Sequence, residues 1–87
     1  MKYICCTLEE FDYTQKLFIV DEEEKEVVFY RSTSYDKIPS AVNKARIEKK
    51  LNKMVIYSKH SDAGKILASN IKEKITDSNF IIEVKGI

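Results

Sequence analysis

The hydrophobic positions of the first 36 residues form short runs that are typical of β-strands. Lys2–Leu8, Gln15–Val20 and Glu26–Ser32 contain no glycine or proline, and most of their residues are β-branched, aromatic or otherwise apolar. The acidic segment 21–25 has the length of a hairpin connection. We therefore expect an antiparallel meander of three strands, with residues 9–14 as a polar turn after the first strand.

The next pattern is that of a helix running from about Ile38 to Asn52. Pro39 is tolerated in the first turn of a helix, where its missing N–H has no intrahelical partner. The apolar positions point to two sides: one side carries Ile38, Ala41, Val42 and Ala45, and the other carries Ile47 and Leu51. A second surface, either another helix or a partner, is therefore expected to cover Ile47 and Leu51.

The remaining residues alternate between strand and helix. Lys53–Ser58 is a nearly continuous apolar run, which favours a strand covered on both faces. Ser61 is a suitable N-cap for a helix that continues to about Ile75 with one apolar stripe, and 79–84 forms the last strand. The order β-β-β-α-β-α-β predicts a single α/β (α+β) domain, residues 1–87, with a mixed sheet and two helices, because helical crossovers imply parallel pairing.

Composition and charge narrow the class of protein. The chain is 44% hydrophobic and 33% charged, and no apolar run approaches the roughly 20 residues of a membrane span. The net charge of +1 hides a division: residues 1–36 carry four bases and nine acids, whereas residues 37–87 carry eleven bases and five acids. The basic half would suit phosphate or an acidic partner, although solvated helices produce the same pattern.

The segment 58–65 is the best candidate for a ligand site. It leaves a predicted buried strand and opens a helix, a location where free N–H groups favour anions. The candidate anion-binding residues are Ser58, Lys59, His60, Ser61, Gly64 and Lys65. Two features weaken the site: Lys59 stands where a P-loop has its first glycine, and Asp62 adds negative charge at the helix start.

The sequence gives little support for a nucleophilic catalytic site or a metal site. His60 is the only histidine, and Cys5 and Cys6 are adjacent, so on a strand their side chains point to opposite faces. That arrangement suits neither a disulfide nor a metal chelate. We expect no catalytic residues, no metal site and no cofactor, and two free thiols indicate a reducing compartment.

The order of elements resembles the ribonuclease H-like fold, with residues 56–58 (IYS) as a faint local similarity at the end of the fourth strand. The resemblance implies metal-binding acids on the first strand, on the first helix and after the fourth strand. Glu48 and Asp62 stand at the last two positions, but the first strand offers Cys5, Cys6 and Thr7, and the acids at 9 and 10 lie beyond its end. The resemblance therefore implies the fold and argues against two-metal nuclease activity.

These observations favour a small, cytoplasmic, non-catalytic binding or regulatory module that acts by associating with another macromolecule. The predicted interaction surface comprises Ile47, Leu51, Lys44 and Lys50, and the partner is a protein, with a homodimer as one form. One alternative is a phosphate- or nucleotide-binding domain or small enzyme that uses the 58–65 segment. Another is a nucleic-acid-associated domain that uses the lysines of residues 44–65. No contact with membranes is expected.

Overall fold

The central feature of the computed structural model is a five-stranded mixed sheet with the strand order β3-β2-β1-β4-β5. The structure describes residues 1–8 and 14–87. The strands are β1 (Lys2–Leu8), β2 (Thr14–Asp21), β3 (Glu26–Ser34), β4 (Lys53–Ser58) and β5 (Ile81–Gly86). The helices are α1 (Ile38–Lys49), which follows a short 3-10 turn at Tyr35–Lys37, and α2 (Ser61–Lys74). The predicted order of elements and the single α+β domain with a mixed sheet are confirmed. The predicted turn at 9–14 lies, except for Thr14, outside the described residues.

The pairing of β1 determines the two faces of the sheet. β1 runs antiparallel to β2 and parallel to β4, so that Cys6 lies opposite Leu17 on one side and Ile56 on the other. Cys5, one position earlier, lies opposite Phe18 and Val55. Because residues directly opposite each other share a face, these two rows point to opposite sides of the sheet.

Both helices cover the same face of the sheet. Their apolar residues form one cluster with the row of Cys6, and the cluster contains neither Cys5 nor Val55. The fully buried side chains of this core include Ile4, Cys6, Leu17, Ile38, Val42, Met54, Ile56, Leu67 and Ile71. We call the face that they occupy the helix side. Within the described ranges, neither helix is long and apolar enough to cross a membrane.

The first helix is shorter than predicted. It ends at Lys49 rather than Asn52, because Lys50 adopts the left-handed conformation with φ 56° and the Leu51 N–H donates to the Arg46 carbonyl oxygen at 2.9 Å. The turn directs Leu51 into the core, where it is 7% exposed, whereas Ile47 stays 61% exposed. The prediction that both residues share a second apolar surface is therefore wrong for Leu51.

Two further boundaries differ from the sequence-based expectation. The N-cap position of α2 is occupied by His60, which makes no side-chain capping bond, and Ser61 is the first helical residue. The last strand begins at Ile81 rather than Asn79, because the Phe80 N–H donates to the Asp77 carbonyl oxygen in a turn that buries the Phe80 ring. Neither shift changes the topology.

The stripe of α2 yields a test with a built-in control. Leu67 is fully buried, whereas its neighbour Ile66 is 58% exposed on the same helix. We expect Leu67→Ala to lower the free energy of unfolding by about 2–4 kcal/mol, since it leaves a cavity in the core. Ile66→Ala should change it by less than about 0.5 kcal/mol. Urea denaturation of both variants measures the difference, and equal losses would contradict the placement of the helix.

Candidate functional site

The turn from β4 into α2 is held by its own hydrogen bonds. Ser58 is 1% exposed, and its hydroxyl donates to the carbonyl oxygen of His60. The Lys59 N–H donates to the Leu8 carbonyl oxygen at 3.1 Å, which joins the turn to the end of β1. The Ser58 hydroxyl therefore has a structural partner and is not directed towards a ligand in solvent.

Gly64 has a packing role that the sequence interpretation missed. A Cβ atom at this position would lie 2.6 Å from Val84 Cγ1 and 3.0 Å from Ser58 Cβ. Non-bonded carbon atoms essentially never approach to 2.6 Å, so α2 packs this closely on β4 and β5 only because residue 64 has no side chain. The close approach that Gly64 permits is therefore that of the helix to the sheet, and its predicted role in anion binding stays a prediction.

The other predicted anion-binding residues lie in solvent. Lys59, His60, Ser61 and Lys65 are all exposed, and Asp62 lies among them at the first turn of α2. The structure thus brings the positive side chains into one turn but supplies no buried polar group around them. A phosphate site here stays a prediction that rests on exposed side chains alone.

The acids implied by the resemblance to ribonuclease H do not form a metal centre among the described residues. Glu48 accepts a hydrogen bond from the Tyr30 hydroxyl at 2.9 Å, and burial together with this bond raises the pKa of Tyr30. Residues 1–8 and 14–87 contain no group of three His, Cys, Asp or Glu side chains that would hold a metal ion. Glu9 and Glu10, the acids that follow the first strand, lie outside the described residues.

The two thiols differ sharply in environment. Cys6 lies in the helix-side core, and its burial raises its pKa to about 12. Cys5 is half-buried on the other face, where burial raises its pKa and a hydrogen bond with Thr7 partly offsets the rise. Since the thiolate is the nucleophile, neither cysteine is activated for nucleophilic catalysis.

The sheet face opposite the helices is the largest feature that the sequence analysis did not identify. The register places on it one row through Phe29, Phe18, Cys5 and Val55 and another through Val27, Val20 and Tyr3. We call this surface the open face, defined by Tyr3, Cys5, Phe18, Val20, Val27, Phe29, Val55 and Tyr57. Among the described elements, both helices pack on the other side.

Exposure on the open face is low at the centre of the sheet and high at its edge strands. Val55, in β4, is 1% exposed because it lies among larger neighbours such as Tyr57 and Lys53. At the edge of the sheet, Phe29 is 53% exposed and Val27 is 63% exposed. The exposed apolar side chains of this face therefore lie on the edge strands, with Val27 and Phe29 together on β3 and Ile81, 57% exposed, alone on β5.

Ring contacts order the side chains of the open face. The rings of Phe18 and Phe29 meet edge to face with their centroids 5.8 Å apart. The Lys53 Nζ atom lies 5.5 Å from the centre of the Tyr3 ring and 3.4 Å from Glu83 Oε1. Burial, followed by the proximity of Tyr57, raises the pKa of Tyr3. The face is thus apolar at β2 and β3, whereas apolar and charged side chains alternate on it at β4 and β5.

The predicted interaction surface on α1 is divided by the fold. Lys44, Ile47 and Lys50 are exposed, whereas Leu51 is part of the core. Ile47 is then a single exposed aliphatic residue, which is common on protein surfaces. The sequence carried one signal for the open face: Val27, Val28 and Phe29 are three consecutive apolar residues, so an apolar side chain points to each face of β3.

Similarity to solved structures supports the fold. The chain is similar to the fowlpox virus Holliday junction resolvase, with a TM-score of 0.52 and 12% sequence identity over 99% of this chain and 61% of that chain. It is also similar to the PPX-GPPA enzyme of Aquifex aeolicus, with a TM-score of 0.54 and 9% identity over 99% of this chain and 36% of that chain. Neither a protein-family model nor a curated protein sequence matches. The chain thus spans about three fifths and about one third of these two structures.

The likeness to the resolvase confirms the predicted ribonuclease H-like topology. At identities of 12% and 9% it shows the fold alone. Function has to be argued from the surfaces of this chain.

The close contact at Gly64 can be tested by a double-variant cycle. In an ordinary helix interior, Gly→Ala stabilises by about 1 kcal/mol, but here the added methyl group collides with Val84, and overpacking costs about 1–3 kcal/mol. We expect Gly64→Ala to destabilise the protein. The same change in a Val84→Ala background should cost less, because the colliding γ-methyl group is removed. An unchanged cost in thermal unfolding would contradict the packing role.

Proposed function

We propose that this protein is a non-catalytic binding or regulatory module that contacts another macromolecule through the open face. The observation that carries the proposal is the exposure of Val27 and Phe29 side by side with Phe18 and Val20. Each apolar side chain of this size gains about 1.5–3 kcal/mol when it moves from water into a fully buried contact. A continuous apolar surface of this kind favours a protein partner.

The distribution of exposed apolar residues supports the open face over α1. Ile47 and Ile66 are as exposed as Phe29, but each is an isolated residue on a helix surface. Val27 and Phe29 instead extend an apolar surface that continues across three further strands. Contiguity distinguishes an interaction surface from ordinary scattered exposure.

The two alternatives have weaker support. In the predicted phosphate or nucleotide site at 58–65, the Ser58 hydroxyl is bonded to the His60 carbonyl oxygen and Gly64 packs against the sheet. The remaining side chains of this site are exposed. The nucleic-acid alternative relies on exposed lysines such as Lys44, Lys49 and Lys50, which supply charge without base-specific geometry. A reducing, cytoplasmic setting fits the proposal, because Cys5 and Cys6 are free thiols on opposite faces of β1.

The proposal predicts which substitutions abolish binding. Because Val27 and Phe29 already face solvent, their replacement by serine should leave the fold intact and remove the centre of the apolar surface. Ile47→Ser with Ile66→Ser is a matched control, since these residues are similarly exposed. We expect affinity capture from the source cell, with proteins quantified by mass spectrometry, to recover a partner with the wild type and the control. Recovery with the Val27→Ser/Phe29→Ser variant should fall about tenfold or more.

Equal recovery by the open-face variant and the control would contradict the proposal. Circular dichroism on both double variants would show whether each one is folded.

A further inference from the structure

The outer strand β3 combines an unpaired edge with an apolar centre. Among the described strands, β3 pairs only with β2, so its other edge presents backbone N–H and C=O groups to solvent. Val27, Val28 and Phe29 are all exposed on this edge strand. Such an edge is a template for another strand, and main-chain hydrogen bonds would supply the contact.

The charges along β3 are arranged with opposite sign at its two ends. Glu26 begins the strand directly after the acidic turn, where Glu22, Glu23 and Glu24 are also exposed. Arg31 lies near the other end and is exposed, and Lys16 and Lys37 follow on the neighbouring segments. Lys25, with φ 53°, belongs to the turn rather than to the strand. An antiparallel copy of the same strand would place acid opposite base at both ends.

Glu26 and Arg31 do not neutralise each other within one chain. Their partners in β2, Asp21 and Leu17, are four positions apart, so the two charges are separated by about 13 Å. Arg31 instead lies over the ring of Tyr30, with its Cζ atom 5.6 Å from the ring centre. Both charges therefore face outward without a partner of opposite sign along their own strand, and they are free to meet those of a second molecule.

We propose that a second copy of this chain pairs with β3 in antiparallel orientation about a twofold axis that passes between the two Val28 residues, so that two sheets join into one. This inference rests on the proposed function, because both assume that the protein acts by association. It differs in the surface, which is the unpaired edge of β3 rather than the open face, and in naming the partner as a second copy of the chain. A twofold axis perpendicular to the sheet keeps the helices of both copies on one side. A residue of β3 that points to the helix side must then lie opposite a residue of the second copy that also points to the helix side.

This condition determines the register. Val28 lies on the helix side, opposite Ile19, and Val27 and Phe29 lie on the open face. With Val28 opposite Val28 of the second copy, Val27 meets Phe29 of that copy at both ends of the apolar centre. Tyr30 is an extra residue at a bulge in β3, since Phe29 and Arg31 pair with the consecutive residues Phe18 and Leu17 of β2. Because of this bulge, Glu26 then lies opposite Arg31 of the second copy, again twice. Every exposed apolar residue of β3 faces an apolar residue, and the acidic and basic ends match.

Charge reversal tests the pairing, because it leaves the apolar residues unchanged. Glu26→Arg produces base opposite base, and Arg31→Glu produces acid opposite acid, so each variant should dimerise about tenfold more weakly than the wild type, since both ends are affected. A mixture of the two variants restores opposite charges at both ends and should form a one-to-one heterodimer. Glu73→Arg and Lys74→Glu, which reverse exposed charges at the end of α2, are the matched controls and should dimerise as the wild type does.

Sedimentation velocity over a range of concentrations measures each outcome. We expect a concentration-dependent monomer–dimer equilibrium for the wild type, loss of dimer in either β3 variant and recovery in the mixture. A wild type that stays monomeric at all concentrations, or a dimer that the β3 reversals do not weaken, would overturn the inference. Because Val27 and Phe29 are retained in these variants, capture of a different partner through the open face would survive, so the two proposals fail separately.

Discussion

The parallel contact between β1 and β4 is the constraint on which the rest of this structure depends. The strand β1 is the central strand of the sheet, and together with its neighbour β4 it supplies Ile4, Cys6, Met54 and Ile56 to the helix-side core. Parallel strands cannot be joined by a tight turn, so the chain must first complete the meander and α1 before β4 can pair with β1. The strand β4 then directs α2 and β5 to the remaining edge. Both helices consequently lie on one side, and the opposite side remains an apolar sheet surface.

The fold was largely predictable because local patterns and global topology agree. Lys53–Ser58 is a buried strand whose bounds follow from an apolar run between polar segments, and the single stripe of α2 leaves little ambiguity about its buried side. The end of α1 was harder to predict. A left-handed residue at Lys50, where glycine is usual, has no signature in the sequence, and it moves Leu51 from an expected surface into the core.

The candidate site was less predictable than the fold, since exposure is a property of the assembled sheet. The alternation of residues along β3 indicates two faces but does not say whether a helix covers either of them. Gly64 illustrates the same limit: a glycine at a helix start fits both ligand binding and close packing, and only the position of Val84 distinguishes the two roles. The role of Ser58 likewise depends on a hydrogen bond to His60, two residues away, that spacing alone does not require.

The central claim is that the helices bury one face of β1 and leave the other face accessible. Cys5 and Cys6 are adjacent on β1 and point to opposite faces, so their reactivity measures the accessibility of each face. Alkylation of the folded protein with iodoacetamide at pH 8, followed by peptide mass spectrometry, measures them separately. Cys6 should react only after unfolding, because it is fully buried and its pKa is raised to about 12. Cys5 should react in the native protein, more slowly than a free cysteine because burial raises its pKa. Equal protection of both thiols, or faster reaction of Cys6, would contradict this account.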